Sequence, residues 1–252
     1  MKIYPLGVGG AFTKTNFHNN YIIHLNEKCL LIDAGSTLRY SLREAGYHYT
    51  DIDVVFISHL HFDHVGGLEE MIMQRFWQFN NGQHSPLKTT IIVHEKLLTL
   101  LKSLLSHGLA NQGRTVEDFC NFVCLKEKEV YKIEDYSFTI FDTSYTHADG
   151  LLSFGFKLAS LQSNIVFTSD VKRLKEANII GQVDGNTVAI FQDVSFTFNG
   201  VHATLQEVLD YYPKEYYSKL YAMHYNDNVE QFQKVIDSAN INIVKKGEIL
   251  HF

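Results

Sequence analysis

Val54-Val55-Phe56-Ile57-Ser58 runs directly into His59-Leu60-His61-Phe62-Asp63-His64. The first five residues form a β-branched and aromatic run of strand length, with the composition of a strand buried on both faces. The next six put four potential metal ligands where a strand gives way to a loop, a place from which rigid scaffolds commonly present functional side chains. Neutral imidazole and carboxylate suit zinc. A tight loop leaving a strand can aim alternate side chains at one ion and the following pair at a second. Asp63 and three of the thirteen histidines are gathered here, a density that histidines scattered over a surface do not reach.

Outward from this stretch the pattern is mixed. Strands are expected at 2–7, 21–25 and 29–33, with a hairpin turn at 26–28, and a helix at 37–45 stopped by Gly46. Downstream, LEEMIMQRFWQF has helical apolar spacing, and a strand at 91–93 followed by a helix at 96–105 repeats the order. Further strands are expected at 138–145, 153–158, 165–168 and 188–191, helices at 204–211 and 228–239, and closing strands at 220–223 and 241–244. Two strand-rich halves with interleaved helices suggest a β-sandwich with helices on its outer faces. Periodicity alone equally allows a doubly wound parallel sheet.

Twenty-two Lys and Arg against twenty-eight Asp and Glu leave a net charge of −6, and 45% of positions are hydrophobic, which excludes a disordered chain. No run approaches the roughly 18 apolar residues of a membrane span. The opening MKIYPLGVGG lacks the basic and apolar segments of a signal peptide, so a cytoplasmic chain is expected. Only three Pro occur and no linker or repeat interrupts the sequence, so residues 1–252 read as one domain. Cys29, Cys120 and Cys124 are an odd set that argues against a disulfide framework. Cys120 and Cys124, four apart, are expected on one buried helical face. The acidic balance disfavours stable binding of a nucleic-acid polymer, whose affinity comes largely from Lys and Arg, while leaving room for a small anionic substrate.

The HLHFDH segment after VVFIS resembles the H-x-H-x-D-H signature of the metallo-β-lactamase superfamily. The resemblance implies an α/β fold of the αββα sandwich type, two mixed β-sheets with helices on the outer faces and a dinuclear site along one edge. It also implies three downstream ligands in a fixed order, and His147 after FTIFDTS, Asp170 closing NIVFTSD and His224 after KLYAM stand in that order. Carried over by position, one metal takes His59, His61 and His147, the other Asp63, His64 and His224, and Asp170 bridges. Two such ions lower the pKa of a shared water and stabilise both oxygens of an in-line displacement. His61 stands where oxygen-reducing di-iron relatives carry Glu, which favours two zinc ions, with manganese or iron as substitutes. Asp170 stands where the lactam-cleaving branch carries Cys, which favours phosphodiester or thioester hydrolysis. His18, His24, His48, His84, His94, His107 and His251 lack such context and are expected to be structural or exposed.

Three further stretches resemble ribonuclease Z: Leu6-Gly7-Val8-Gly9-Gly10, Leu30 to Thr37, and Gln192-Asp193-Val194-Ser195 followed by His202-Ala203-Thr204. The last corresponds to that family's His-Glu-Ala-Thr and His-Ser-Thr elements and implies an Asp193 and His202 pair that protonates the leaving alkoxide, as an imidazolium held by a carboxylate can do. Asp63 joins them as an implied catalytic residue. The chain departs from the family at Gln192 and Asp193, where His and Glu are usual. It has Phe12-Thr13-Lys14-Thr15-Asn16 in place of the Pro-x-Lys-x-Arg-Asn loop. The interval between His147 and Asp170, ADGLLSFGFKLASLQSNIVFTS, also has no length for the basic arm that grips the tRNA elbow.

A small phosphodiester fits these losses, and the chain is most similar to the arm-less cyclic nucleotide phosphodiesterases of the phage anti-Pycsar type. That resemblance implies opening of 3′,5′-cyclic nucleoside monophosphates to 5′-monophosphates, and a homodimer. A tRNA 3′ endonuclease, a metal-stabilised nucleotide-sequestering protein, and a thioesterase or lactonase are the competing readings. The aromatic stretches at 75–79 and 100–124 suit either closure over a base or packing in the core.

Overall fold

In the computed structural model, which describes residues 1–252, the two strand-rich halves form two separate sheets, so the doubly wound alternative falls. The first sheet contains β1 (Lys2–Pro5), β2 (Tyr21–Leu25), β3 (Lys28–Ile32) and β4 (Val54–Phe56), then, past the small hairpin of β5 (Phe79–Asn80) and β6 (Gln83–His84), β7 (Thr89–His94) and β8 (Cys120–Leu125). The second contains β9 (Tyr131–Ile133), β10 (Tyr136–Asp142), β11 (Phe154–Ala159), β12 (Asn164–Phe167), β13 (Thr187–Asp193), β14 (Leu220–Met223) and β15 (Asn242–Ile243). The last strand, β16 (Leu250–His251), returns to pair with β1 at the edge of the first sheet.

Each sheet starts as an antiparallel meander and continues as parallel crossovers. β1, β2 and β3 pair antiparallel and β3, β4, β7 and β8 parallel. In the second sheet β9 to β12 pair antiparallel and β12 to β15 parallel. The parallel segments need helical crossovers, and these cover the outer faces. On the first sheet, α1 (Leu38–Ala45), α3 (Leu68–Phe76) and α4 (Glu95–Ser106) bury Leu38 and Leu42, Met71 and Ile72, and Leu97, Leu101 and Leu105. On the second, α6 (Leu174–Ala177) and α7 (Leu205–Tyr211) join Val166, Ile190, Leu220 and Ala222 in a satellite core. The short α2 (Phe62–Val65) and α5 (Val116–Phe119) precede α3 and β8, and α8 (Gln233–Ala239) precedes β15. The layers are those of an αββα metallo-β-lactamase-like sandwich.

Aromatic side chains bind the two sheets together. Phe56 of β4 lies 5.2 Å from Phe138 and 5.3 Å from Phe156, Phe156 stacks on Phe167 at 5.0 Å, and Phe167 on Phe191 at 4.4 Å. Rings at these separations gain beyond the area they bury.

One expectation fails here and one open choice is decided. Cys120 and Cys124 lie on β8, an edge strand, with Cys120 buried and Cys124 exposed, and all three thiols are free. Residues i and i+4 share a face of a strand as well as of a helix, so spacing could not separate the two, and at an edge only one end of that face is covered. The segment at 100–124 takes the packing alternative, since it supplies half of α4, α5 and most of β8. The segment at 75–79 packs at the opposite end of the sheet from HLHFDH. Arg75 is buried there, donating to the carbonyls of Tyr49 and Ile52 ahead of β4 and to Thr89 Oγ1 at the start of β7. It cannot close over anything bound at the strand's other end.

Phe167 is 2% exposed at the centre of the aromatic stack. Replacing it with alanine is expected to destabilise the fold by about 3 to 5 kcal/mol, the cost of a lost aromatic plus its cavity, read as a fall in the urea midpoint at unchanged m-value.

Candidate metal centre

Side chains from six strand ends meet at one edge of the sandwich. Asp33 follows β3, His59 follows β4, His147 follows β10, Asp170 follows β12, Asp193 ends β13 and His224 follows β14. Ligand sites of open sheets lie in just this position, beyond the carboxyl ends of the strands. Several exits are made by non-glycine residues in the left-handed region: Asp33 (φ 56°), Tyr145 (φ 64°), Ser169 (φ 58°) and His224 (φ 59°). That conformation turns the chain sharply at a cost that the surrounding packing must offset. His61 precedes α2 and Asp63 and His64 lie within it. The turn presses so close to the loop after β3 that a Cβ on Gly35 would sit 2.0 Å from the Asp63 carbonyl oxygen, which requires glycine there.

The side chains form two groups that share one carboxylate. His59, His61, His147 and Asp170 make the first, and Asp63, His64, Asp170 and His224 the second, with the ligand atoms of each group within 4.8 Å of one another. In the first, Nε2 of His59 is 3.2 Å from Nδ1 of His61, which is 3.4 Å from Nε2 of His147. In the second, Oδ2 of Asp63 is 3.4 Å from Nε2 of His64 and 3.2 Å from Nε2 of His224. Oδ2 of Asp170 lies 3.8, 3.3, 3.7 and 3.4 Å from Nε2 of His59, His64, His147 and His224. Ligands held about 2.0 to 2.1 Å from a tetrahedral ion are about 3.3 Å apart, so the cages match the size of such an ion. Nε2 of His64 and Oδ1 of Asp170 are also buried without a hydrogen bond, a costly condition that coordination relieves. The donor set therefore fits a pair of divalent cations.

A supporting layer fixes the imidazoles. Nδ1 of His64 is 2.7 Å from Oδ2 of Asp33, a carboxylate that also accepts from the backbone N–H and the hydroxyl of Ser58 at 2.8 Å each. Nδ1 of His147 is 2.7 Å from the carbonyl oxygen of Val201, and Nδ1 of His59 is 3.1 Å from Oγ of Ser58. Such partners hold the tautomer that leaves the other ring nitrogen to a metal. Asp33 is the functional residue that sequence reasoning passed over. Its signals were a carboxylate ending an apolar strand in LLIDAGST and the place of that strand end in the Leu30 to Thr37 stretch that resembles ribonuclease Z.

Electrostatics follow from burial and from the carboxylates. Burial, with His64 nearby, holds His59 well below the usual histidine range, and burial likewise lowers His61 and His147. Burial also opposes charge on His64 and His224. The carboxylates of Asp170, Asp63 and Asp33 outweigh it at His64, and those of Asp170, Asp193 and Asp63 outweigh it at His224, raising the first well above the usual range and the second to about 10. Burial works against ionising Asp63 and Asp170 too, yet the imidazoles hold both well below the carboxylate range. Protons on His64 and His224 thus offset the buried negative charge, and a cation would take over that task.

Beside the shared carboxylate stands the pair drawn from the second resemblance. Nδ1 of His202 is 2.7 Å from Oδ2 of fully buried Asp193, and the His202 ring lies 4.7 Å from that of His147 and 4.8 Å from that of His224. Burial disfavours its charge, but Asp193 raises its pKa above the ordinary value. All nine residues singled out from the sequence therefore meet at this edge. The other histidines stand apart in role: His94 caps α4 and stacks on Phe154 at 4.1 Å, and His24 bonds to the Tyr47 hydroxyl.

Residues 1–250 match the sequence model of the family described as Anti-Pycsar protein Apyc1. The chain belongs to that family. A relative from Paenibacillus sp. (strain J14), an Anti-Pycsar protein Apyc1, is 30% identical over 254 residues, covering 99% of this chain and 98% of its own. A relative of the same description from Bacillus phage vB_BsuM-Goe3 is 28% identical over 249 residues, covering 92% and 91%. Among solved structures, the metallo-beta-lactamase fold protein YhfI from Bacillus subtilis superposes with a TM-score of 0.73 at 16% identity over 99% of this chain and 98% of that one. At that identity the likeness concerns the fold.

Two measurements test the centre in this member of the family. Asp33→Ala leaves Nδ1 of His64 and the Ser58 hydroxyl without their acceptor and is expected to weaken divalent-cation binding about 10- to 100-fold, read by chelator competition. Cation uptake at pH 7.5 is expected to release protons, because His64 and His224 start protonated there and must lose them to coordinate. Apparent affinity then climbs as pH rises from neutrality, because both imidazoles hold their protons above the usual histidine range. Calorimetry in buffers of different ionisation enthalpy counts the protons, and a pH-independent affinity with no release overturns the charge balance described.

Proposed function

We propose that this chain, as a single metallo-β-lactamase-fold domain, is a dinuclear zinc phosphodiesterase that opens 3′,5′-cyclic nucleoside monophosphates to linear 5′-monophosphates. The observation that carries the reading is the His202 and Asp193 pair at 2.7 Å, seated against the rings of two histidines of the cation cages. A thioester hydrolase expels a thiolate that needs no proton donor, whereas a phosphodiester leaves an alkoxide that must be protonated. The family's name, Anti-Pycsar protein, and the phage origin of some relatives support a role in removing signalling nucleotides of host defence.

His59, His61 and His147 with Asp170 would hold one cation, and Asp63, His64 and His224 with Asp170 the other. When bound, the pair supplies positive charge for the phosphate oxygens and lowers the pKa of the attacking water. Zinc fits the donors best, with manganese or iron as replacements in an imidazole and carboxylate set. Asp63 and Asp170 orient that water in line with the scissile bond. His202, charged because Asp193 holds its Nδ1, presents Nε2 to the departing 3′ oxygen and gives it a proton. The interval from His147 to Asp170 supports a small substrate, being filled by β11, β12 and the short turn between them, where a tRNA-gripping arm would have to begin. A homodimer in the cytoplasm, as the resemblance to the anti-Pycsar phosphodiesterases implies, is proposed here. No helix is long and apolar enough to cross a membrane.

The test is incubation of metallated protein with cyclic CMP, UMP, AMP and GMP and, separately, with precursor tRNA, followed by chromatography of the products. Formation of 5′-monophosphates with tRNA untouched is expected, and cleavage of tRNA alone overturns the reading. His202→Ala is expected to lower kcat about 10²- to 10⁴-fold at unchanged metal content. Asp63→Ala is expected to lose activity together with metal.

A further inference from the structure

Three segments that carry residues of the metal centre, and the loop that packs against His224 at Gly10, each expose a large aromatic ring: Phe62 at 49%, Tyr145 at 53%, Phe198 at 93% and Phe12 at 88%. Exposed apolar side chains gathered at the rim of a polar site mark contact with something. Two of them pair. The Phe12 and Phe62 rings lie 6.4 Å apart, and Phe62 rests edge-on against His18 at 5.6 Å. Phe62 sits between His61 and Asp63 in the chain. The loop bearing Phe12 starts at Gly10, whose N–H donates to the Tyr225 carbonyl and where a Cβ would come within 3.2 Å of the His224 ring. Both rings thus rise from backbone fixed directly to the second cation cage.

The Phe12 loop is also held. Asp227, three residues beyond His224, accepts from Thr13 Oγ1 at 2.6 Å, from the Lys14 N–H at 2.6 Å and from Asn16 Nδ2 at 2.9 Å. Burial works against its ionisation, but these donors keep it charged. A ring on a pinned loop loses little freedom on binding, which is how aromatic anchors give affinity at low cost. No core contact explains the exposure of Phe12, and a planar face of about this size beside a phosphate-binding centre matches the base of a nucleotide, whose π-face stacks on aromatic side chains with little regard to sequence.

We propose that Phe12 and Phe62 form the base-stacking platform of the site, with Asp227 as the positioning residue that sets Phe12. The proposal rests on the phosphodiesterase reading for its substrate but predicts binding independently of turnover. The experiment compares wild type, Phe12→Ala/Phe62→Ala and Phe12→Tyr/Phe62→Tyr on cyclic CMP and on methyl ribofuranoside 3′,5′-cyclic phosphate, the same cyclic ester without a base. In parallel, calorimetry compares binding of CMP and ribose 5-phosphate.

Wild type is expected to favour the base-bearing member of each pair about ten-fold or more. That preference collapses toward one in the alanine variant, through KM rather than kcat, and returns in the tyrosine variant. Asp227→Ala is expected to reduce the preference with the metal content intact. Equal handling of both members by wild type, an unchanged preference in the alanine variant, or loss of preference only on Phe198→Ala each overturns the platform. Absence of hydrolysis alongside a calorimetric preference that the alanine variant abolishes rejects the phosphodiesterase reading while upholding the platform.

Discussion

Oδ2 of Asp170 stands 3.3 to 3.8 Å from the Nε2 atoms of four histidines, and the rest of the edge is arranged around that one oxygen. Asp170, Asp63 and Asp193 are each at most 2% exposed. Buried carboxylates are tolerated only when they are paired and hydrogen-bonded, so this fold commits itself to positive charge at its sheet edge. Protons on His64 and His224 supply part of it, and divalent cations can supply it all. Burial opposes charge on His202, but the same field that favours cations raises its pKa through Asp193. The acid and the metal cages are therefore consequences of one concentration of negative charge.

Holding the seven residues of the two cages and the Asp193 and His202 pair to fractions of an ångström requires rigid supports, since sites built on regular elements are more precise than sites built on loops. The two sheets meet this demand differently. The first delivers four ligands from a single strand exit and the helix turn behind it, so their spacing is local and depends on the close approach of Gly35 to the Asp63 carbonyl. The second delivers His147, Asp170, Asp193 and His224 from four strands, so their spacing depends on the register of β10 to β14 and on the packing of Phe156, Phe167 and Phe191 against Phe56 and Tyr21 of the first sheet. Left-handed residues at Asp33, Tyr145, Ser169 and His224 convert strand direction into side-chain direction within one residue. Core packing and site geometry are in this respect a single structure.

That division also explains what could be read in advance. HLHFDH declared itself because four ligands lie within six residues. His147, Asp170 and His224 are single residues among thirteen His and many Asp, and only their order in a family pattern distinguished them. Asp33 escaped because its importance lies in one hydrogen bond to His64, made across 31 positions of sequence. β16 escaped because two residues carry no periodicity, and its place is set by pairing with β1. Cys120 and Cys124 misled because a four-residue spacing is shared by helix and strand. The aromatic stretch at 75–79 stayed open between closure over a base and core packing because composition says nothing of which end of a sheet a helix reaches, and Arg75, bonded to carbonyls ahead of β4, belongs to the far one.

The acidity of the chain and its phosphodiester chemistry are compatible once distance is considered. A net charge of −6 acts over the whole surface, where it is screened beyond a Debye length of about 8 Å at physiological salt and where it penalises a polymer that must cover many ångströms of protein. A single phosphate entering the edge meets instead the imidazoles of His61 and His202 and, on the proposed reading, two cations at contact distance, where local charge prevails. A tRNA would need compensating Lys and Arg outside the centre. The turn between β11 and β12 offers none of that extension, and Lys14 in the N-terminal loop contributes its backbone N–H to Asp227. On the proposed reading, the same core would discriminate against long polyanions by what surrounds it, without any change in the residues of the two cages.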